Sequence, residues 1–293
     1  MTTYHLQLRP QDVLFLRDAR PMAAADAGCG ANWPRPDQLW NALIHHFHRT
    51  WPERQSWEGE AHTRTAAECG SGRLSSDRFG ALLTVGPFPL ADGVPYFPCP
   101  LDLAAAEDGT LLPMTLTPAG KTDLSPLLKL AFATPVLGKQ SPPAWISRKD
   151  YAHYLEGKPF RPEKTTLFDI ERNIGIAINP ETGATIDGQF YQAEYLRLRE
   201  GVAIAFRASC AIKPKGHNDA LVDVLDKIPL PTPLIIGGQQ GLATVAAAEW
   251  RLPGVAMPMP VGQPLRLRWT LLSPALFPRL AANPEKNVPE HPG

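Results

Sequence analysis

An α+β fold with long loop insertions, opening in a βαββαβ ferredoxin-like (RRM-like) unit, is what this sequence predicts. Three observations predict it. Residues 4–47 run strand, charged loop, helix. Residues 169–201 hold alternating apolar positions around a turn. The 32 prolines, spread along the whole chain, break helices and interior strands and leave much of the polypeptide in rigid connections.

Taken in order, the first element is a strand between Tyr4 and Phe15, where Leu6, Leu8, Val13 and Phe15 supply the apolar positions. Arg17-Asp18-Ala19-Arg20-Pro21 forms its charged exit, and residues 22–32 are small and polar. Pro34 and Pro36 introduce a helix with Leu39, Trp40, Leu43, Ile44 and Phe47 on one face. Strand, loop and helix are the start of the ferredoxin-like unit. Residues 50–80 are polar and weakly periodic, an insertion or long loop. Leu82-Leu83-Thr84-Val85 is the next strand. Gly86-Pro87-Phe88-Pro89 and Tyr96-Phe97-Pro98-Cys99-Pro100 then bracket a hairpin or tight loop. Residues 105–165 are loop-rich, with short helices predicted near 124–132 and 147–156.

Residues 169–201, DIERNIGIAINPETGATIDGQFYQAEYLRLREG, are the most informative stretch. Ile174, Ile176 and Ile178 have the period of a half-buried strand, and Asn179-Pro180-Glu181-Thr182-Gly183 supplies turn chemistry. Leu196 and Leu198 alternate with Arg197 and Arg199, so one face packs while the other presents guanidinium groups. With Arg172 they suggest a surface for an anion, without an evident catalyst. A helix is predicted at 218–228, with Asn218 as cap and Leu221, Val224, Leu225 and Ile228 at helical spacing. Leu234-Ile235-Ile236 feeds the loop Gly237-Gly238-Gln239-Gln240-Gly241. Leu265, Leu267 and Trp269 alternate with Arg266 and Arg268 in a last strand, before a tail. The divisions expected are 1–165, 166–283 and a tail at 284–293.

Composition narrows the function classes. The 293 residues are 44% hydrophobic and 20% charged, enough for a sizeable core. With 29 basic and 29 acidic residues the formal net charge is zero, unlike a free-standing nucleic-acid binder. Sharing the nucleic acid with partner subunits removes that objection. The basic residues are unevenly placed: residues 201–218 hold Arg207, Lys213 and Lys215 without an acid. Cys29, Cys69, Cys99 and Cys210 are scattered, with no CxxC pair or Cys/His cluster for zinc. No signal-peptide pattern opens the chain and no apolar run has membrane-spanning length, so a cytoplasmic protein is expected, with no membrane partner.

No convincing active site emerges. His45, His46 and His48 lie on the predicted helix, where a solvated surface is the simpler expectation than acid–base catalysis. Asp12, Asp18 and Asp26 do not form the compact carboxylate set of a magnesium-dependent nuclease, and no metal site or cofactor is expected. The glycine loop lacks both the dinucleotide spacing and the Lys-Ser/Thr of a P-loop. From spacing alone it is an ordinary turn before it is an RNA contact, although glycines let backbone N–H groups approach phosphate. The basic residues Arg17, Arg20, Arg148, Lys149, Lys213 and Lys215, added to Arg172, Arg197 and Arg199, are enough to line a single strand. Tyr151, Tyr154 and Tyr191 are candidates for base stacking or for core packing.

Glu171, Arg172, Gly175, Ile176, Ala177, Ile178, Thr185, Gly188, Tyr191, Glu194, Leu196, Arg197 and Leu198 together resemble a segment of one protein family. It is the third-subunit family of the type III-B CRISPR (Cmr) effector, RAMP proteins of the Cas-five type. Further similarity lies at 8–22, 86–103, 146–157, 237–241 and 271–277, in the family's order. The resemblance implies two ferredoxin-like RAMP folds packed together without nuclease activity. It also implies a cap on the 5′ handle of the CRISPR guide RNA (crRNA). The partners implied are the large polymerase/cyclase-type subunit and the first backbone RAMP subunit. It raises the glycine loop to an RNA contact, with Gln239 and Gln240 standing where the family has Glu followed by Arg. Residues 39–44, LWNALI, depart from the family's Gly-Ala-Leu-Arg-like helix. A type III-D relative shares these motifs. The alternative function is a metal-independent endoribonuclease that processes precursor crRNA through one of the three helix histidines.

Overall fold

Apolar alternation puts most of the chain into strands. The computed structural model describes residues 2–16, 27–28, 32–50, 79–118, 130–135, 140–212, 221–254 and 270–273. In chain order they form β1 (Tyr4–Pro10), β2 (Ala27–Gly28), α1 (Pro36–Thr50), β3 (Leu83–Ala91), β4 (Val94–Pro98), β5 (Leu103–Ala105), β6 (Leu111–Pro113), β7 (Thr115–Pro118) and β8 (Leu130–Ala133). Then follow β9 (Trp145–Ser147), α2 (Arg148–Leu155), β10 (Phe168–Ile178), β11 (Thr185–Leu198), β12 (Val202–Ser209), β13 (Ala211–Ile212), β14 (Val222–Asp223), β15 (Thr232–Ile235) and β16 (Leu242–Ala247). The protein is thus mostly β, with two α-helices among the described residues.

Seven strands make the main sheet, in the order β15-β16-β1-β12-β3-β4-β9, with every neighbouring pair antiparallel. It takes strands from both sides of residue 165, so the expected 1–165 and 166–283 divisions share one hydrogen-bonded sheet. The sequence of β12, VAIAFRAS, explains its central place. Ile204, Phe206 and Ala208 join one core, beneath α1, while Ala203 and Ala205 join the other. A strand covered on both faces is apolar at nearly every position rather than at every second one.

The first core packs Leu39, Leu43, Ile44 and Phe47 of α1 against Leu6, Leu8, Leu234 and Val245 of the sheet. The second packs Phe88, Phe97, Tyr151, Tyr154 and Trp250. Trp250 donates its indole N–H to the Leu6 carbonyl at 3.3 Å, and its own carbonyl lies 2.7 Å from His5 Nδ1. Ser147 caps α2 by accepting from the Asp150 N–H and donating its hydroxyl to the Asp150 carboxylate at 2.8 Å.

Several expectations are resolved or corrected. Of the two readings of Tyr151 and Tyr154, core packing holds: both are buried, with the Tyr154 hydroxyl donating to Asp102 at 3.0 Å. The hairpin expected between Gly86-Pro87-Phe88-Pro89 and Tyr96-Phe97-Pro98-Cys99-Pro100 is present as β3–β4, with Gly86-Pro87-Phe88-Pro89 in the middle of β3. Its prolines fit because β3 pairs with β4 only through Leu90 and Ala91, and its ladder with β12 carries an irregularity at Ala205/Arg207. The helix expected near 124–132 meets strand β8 at Leu130–Ala133, paired with β7. The helix expected at 218–228 is strand β14 and a 3₁₀ turn at Leu225–Lys227. Val222 pairs with Ile212, Asp223 Oδ1 accepts from the Leu225 N–H, and Pro229 follows, which together favour a turn over a helix. Asn218, most of the 50–80 insertion, the 265–269 strand and the tail lie outside the described residues.

The three α1 histidines do not form the solvated surface expected. His45 is exposed, but His46 is buried with Nε2 3.4 Å from the Thr232 hydroxyl. His48 packs edge-on against Phe79. Burial lowers the His46 pKa from 6.5, and the charges of Arg49 and His45 lower it further. A depressed folded-state pKa means the unfolded chain takes up the proton first. The stability His46 contributes is full above pH about 6.5 and is lost as pH falls below that value. The urea midpoint should therefore fall between pH 7.5 and 5.5, and His46→Leu should reduce that fall. An equal fall in the variant would assign the pH dependence to other groups.

Candidate nucleic-acid interface

The site begins with backbone pairing between segments distant in sequence. Past β1 the chain runs beside β11: the Leu14 and Leu196 N–H groups donate to each other's carbonyls, both at 2.9 Å. Next to it the Gly238 N–H donates to the Phe15 carbonyl at 2.7 Å. Residues 12–16, 195–199 and 237–241 are thereby clasped together. Leu14 and Leu196 are fully buried beneath the clasp, which ties it to the first core.

The glycine loop is shaped by this contact. A Cβ on Gly237 would stand 2.7 Å from the Phe15 carbonyl oxygen, and one on Gly238 2.7 Å from Phe15 Cδ1. Gly237 also has φ +78°, a left-handed conformation that side chains resist. The Gly238 N–H is spent on Phe15 and is not offered to phosphate. Gln239 and Gln240 follow with φ of 55° and 54°, both exposed. Gln239 Oε1 accepts the Tyr195 hydroxyl at 3.1 Å, and the Tyr195 ring leans on Phe15 with centroids 5.4 Å apart.

The β10–β11 hairpin carries the charge. Asp169 lies opposite Arg197, Glu171 opposite Tyr195 and Arg172 opposite Glu194. Arg172 donates to Glu194 at 2.9 Å. Arg197 forks onto Glu171 through Nε and Nη2 and reaches Asp12 through Nη1 at 3.1 Å. Its pKa is raised, chiefly by the bond to Glu171, so the guanidinium stays charged. Arg199 donates to Asp169 at 2.8 Å. The three arginines expected to be open to an anion are each held by a carboxylate in this state. They remain on the surface, with side chains 67%, 45% and 54% exposed for Arg172, Arg197 and Arg199.

The hairpin also corrects the isoleucine expectation. Phe168, Ile170, Leu196 and Leu198 at its base meet the first core. Ile174, Ile176 and Ile178 lie on the same face but are 68%, 51% and 58% exposed, because the hairpin extends past the core it begins on. Arg148 and Lys149 stand apart, on α2, which packs against β4 and β9 at the far end of the main sheet. Arg148 donates to the Leu252 carbonyl at 3.2 Å. Arg17, Arg20, Lys213 and Lys215 lie outside the described residues, as does the side chain of Tyr191. Sequence reasoning gave no site role to Tyr195 or to the acids Asp12, Asp169, Glu171 and Glu194. Their signal was the mixed charge of DIER facing EYLRLR. Among the described residues no group of three or more His, Cys, Asp or Glu is arranged to hold a metal ion, and no helix is long and apolar enough to cross a membrane.

The sequence matches the model of the CRISPR-associated protein family Cas_Cmr3 over residues 6–291. The chain belongs to that family. The resemblance seen in the sequence is therefore met across nearly its whole length. No curated protein matches the chain. Similar solved chains include one in the type III-B Cmr-beta complex bound to cognate target RNA, at 14% identity, covering 84% of this chain and 64% of that one, with a TM-score of 0.46. Another, from the apo state of Cmr-beta, has 9% identity and a TM-score of 0.38, covering 84% of this chain and 96% of that one. A chain of the Csm1–Csm4 cassette in complex with AMPPNP has 14% identity and a TM-score of 0.35, covering 71% and 60%. This Cas_Cmr3 member thus spans about two thirds of the first Cmr-beta chain it resembles.

Two outcomes follow from the clasp. Gly238→Ala should cost about 1–3 kcal/mol by overpacking against Phe15, and Phe15→Leu in the same chain should recover part of it. Arg172→Gln should cost less than about 1 kcal/mol, as expected for an exposed ion pair. Thermal unfolding measures both.

Proposed function

We propose that this family member is a crRNA-binding subunit of a type III CRISPR effector. On this reading it is non-catalytic, caps the 5′ handle of the guide and bridges the large polymerase/cyclase-type subunit to the backbone RAMP subunits. One observation carries the reading. The described parts of three family-like segments, 8–22, 169–201 and 237–241, meet in one clasp bearing Arg197, Tyr195 and Gln239. The fold supports it as well. Taking β1, β3, β12 and β16 as four successive strands, with α1 between the first two, their order in the sheet is fourth-first-third-second. That is the strand order of a ferredoxin-like unit, although among the described residues no α-helix lies between β12 and β16.

The carboxylates on the arginines are compatible with RNA. An exposed ion pair contributes only about 0–1 kcal/mol, so a phosphate can replace the carboxylate at small cost. The endoribonuclease alternative gains nothing from the α1 histidines, whose rings face solvent, the core and Phe79 separately.

The full-length chain should bind synthetic RNA carrying the 5′ handle in preference to RNA lacking it, with affinity falling as salt rises. Replacing Arg172, Arg197 and Arg199 together by Gln should lower the slope of log K against log salt by about 2, the value for three single-strand phosphate contacts. Equally tight binding of unrelated duplexes would sink the proposal.

A further inference from the structure

The glycine loop presents side chains where a phosphate cradle presents backbone. Its Gly238 N–H is already bonded to Phe15. Nearby, Asp12, Asp169, Glu171 and Glu194 outnumber Arg172, Arg197 and Arg199: Arg172 and Arg199 are each held by one of these acids and Arg197 by two. A phosphate therefore has little to gain at the loop itself. What the loop does offer is two exposed carboxamides on consecutive left-handed residues, a backbone that glycine adopts at no cost and glutamine only under strain.

The orientation of one carboxamide is set. Tyr195 donates its hydroxyl to Gln239 Oε1 at 3.1 Å, and Phe15 braces the Tyr195 ring. With its oxygen engaged by Tyr195, the exposed Gln239 keeps its NH₂ group, two donors, for a ligand. A neutral, pre-oriented donor pair at the edge of an arginine-bearing hairpin suits the acceptor edge of an unpaired base, while the arginines serve the phosphates of the same strand.

We propose that Gln239, positioned by Tyr195 and assisted by Gln240, reads a carbonyl acceptor of an unpaired base in the bound guide, the O6 of guanine or the O4 of uracil. The inference rests on the crRNA-binding reading and adds the group recognised. The loop acts as a base-specificity element, recognising its ligand by hydrogen bonds from neutral carboxamides.

Fluorescence anisotropy of the full-length chain with synthetic handle RNAs tests it. Single G→A and U→C changes along the handle each turn one carbonyl acceptor into an amino donor. One position should lose affinity roughly ten-fold in the wild type, and its identity distinguishes guanine from uracil. Gln239→Gly relaxes the backbone, so its fold is not at risk. It should bind the parent RNA roughly ten-fold more weakly, ignore the base at that position and keep the salt slope. Tyr195→Phe keeps the ring on Phe15 and should lose part of the same preference. Base preference unchanged in Gln239→Gly overturns the proposal. So does a loss spread evenly over all RNAs with an altered salt slope, or a loss confined to binding of partner subunits. A wild-type chain without handle preference overturns the crRNA reading and this one with it.

Discussion

Burial of β12 on both faces is the constraint on which the rest of the structure depends. Ile204 and Phe206 close one core, and Ala203 and Ala205 close the other. β1 and β3 flank this strand, so the N-terminal strand and helix can be completed only by chain that arrives two hundred residues later. Ile204 and Phe206 fill the space beneath α1, while the small Ala203 and Ala205 leave room for Phe88, Phe97 and Trp250 on the opposite side. A polar residue at 204 or 206 would strand an unsatisfied group under α1 and disturb both neighbours.

The clasp inherits its position from that sheet. β1 is fixed between β12 and β16, so the residues that leave it, Asp12 to Leu16, emerge at a fixed place. The β15–β16 hairpin beside it brings the glycine loop to the same end, and β11 joins through Leu14 and Leu196. Glycine at 237 and 238 is thus demanded by how closely Phe15 approaches. Proximity to the arginines follows from packing, and any chemistry of the loop is carried by the residues that point away from Phe15.

Much of this was legible in the residues. The face Leu39, Leu43, Ile44, Phe47 gave α1 because its spacing has one helical solution, and Gly183 with Asn179 gave the hairpin turn. The partners of the arginines were not legible, because pairing depends on register. The β10–β11 ladder shifts between Ile176 and Ile178, so counting back from the turn misplaces every residue of the base. With register known, the diagonal pairs Arg197–Glu171 and Arg199–Asp169 are expected. The isoleucines misled for another reason. Alternation reports that one face is apolar, and it is silent on whether a core reaches that far. His46 failed similarly: helical spacing placed it off the main stripe, and only the approach of β15 buried it.

Zero net charge and a role with RNA are compatible once the position of each acid is considered. A free arginine cluster attracts any polyanion, since counterion release is indifferent to sequence. Here the acids stand on the hairpin and at the end of β1, within bonding distance of the guanidinium groups. Exchanging one for a phosphate trades an equivalent partner at nearly no gain. On the proposed reading, non-specific binding is thereby weakened while a strand held elsewhere in the assembly loses little, because its phosphates are delivered at high effective concentration. The discrimination that charge no longer supplies falls to directional groups, and the ones this surface orients are the Tyr195 hydroxyl and the Gln239 carboxamide.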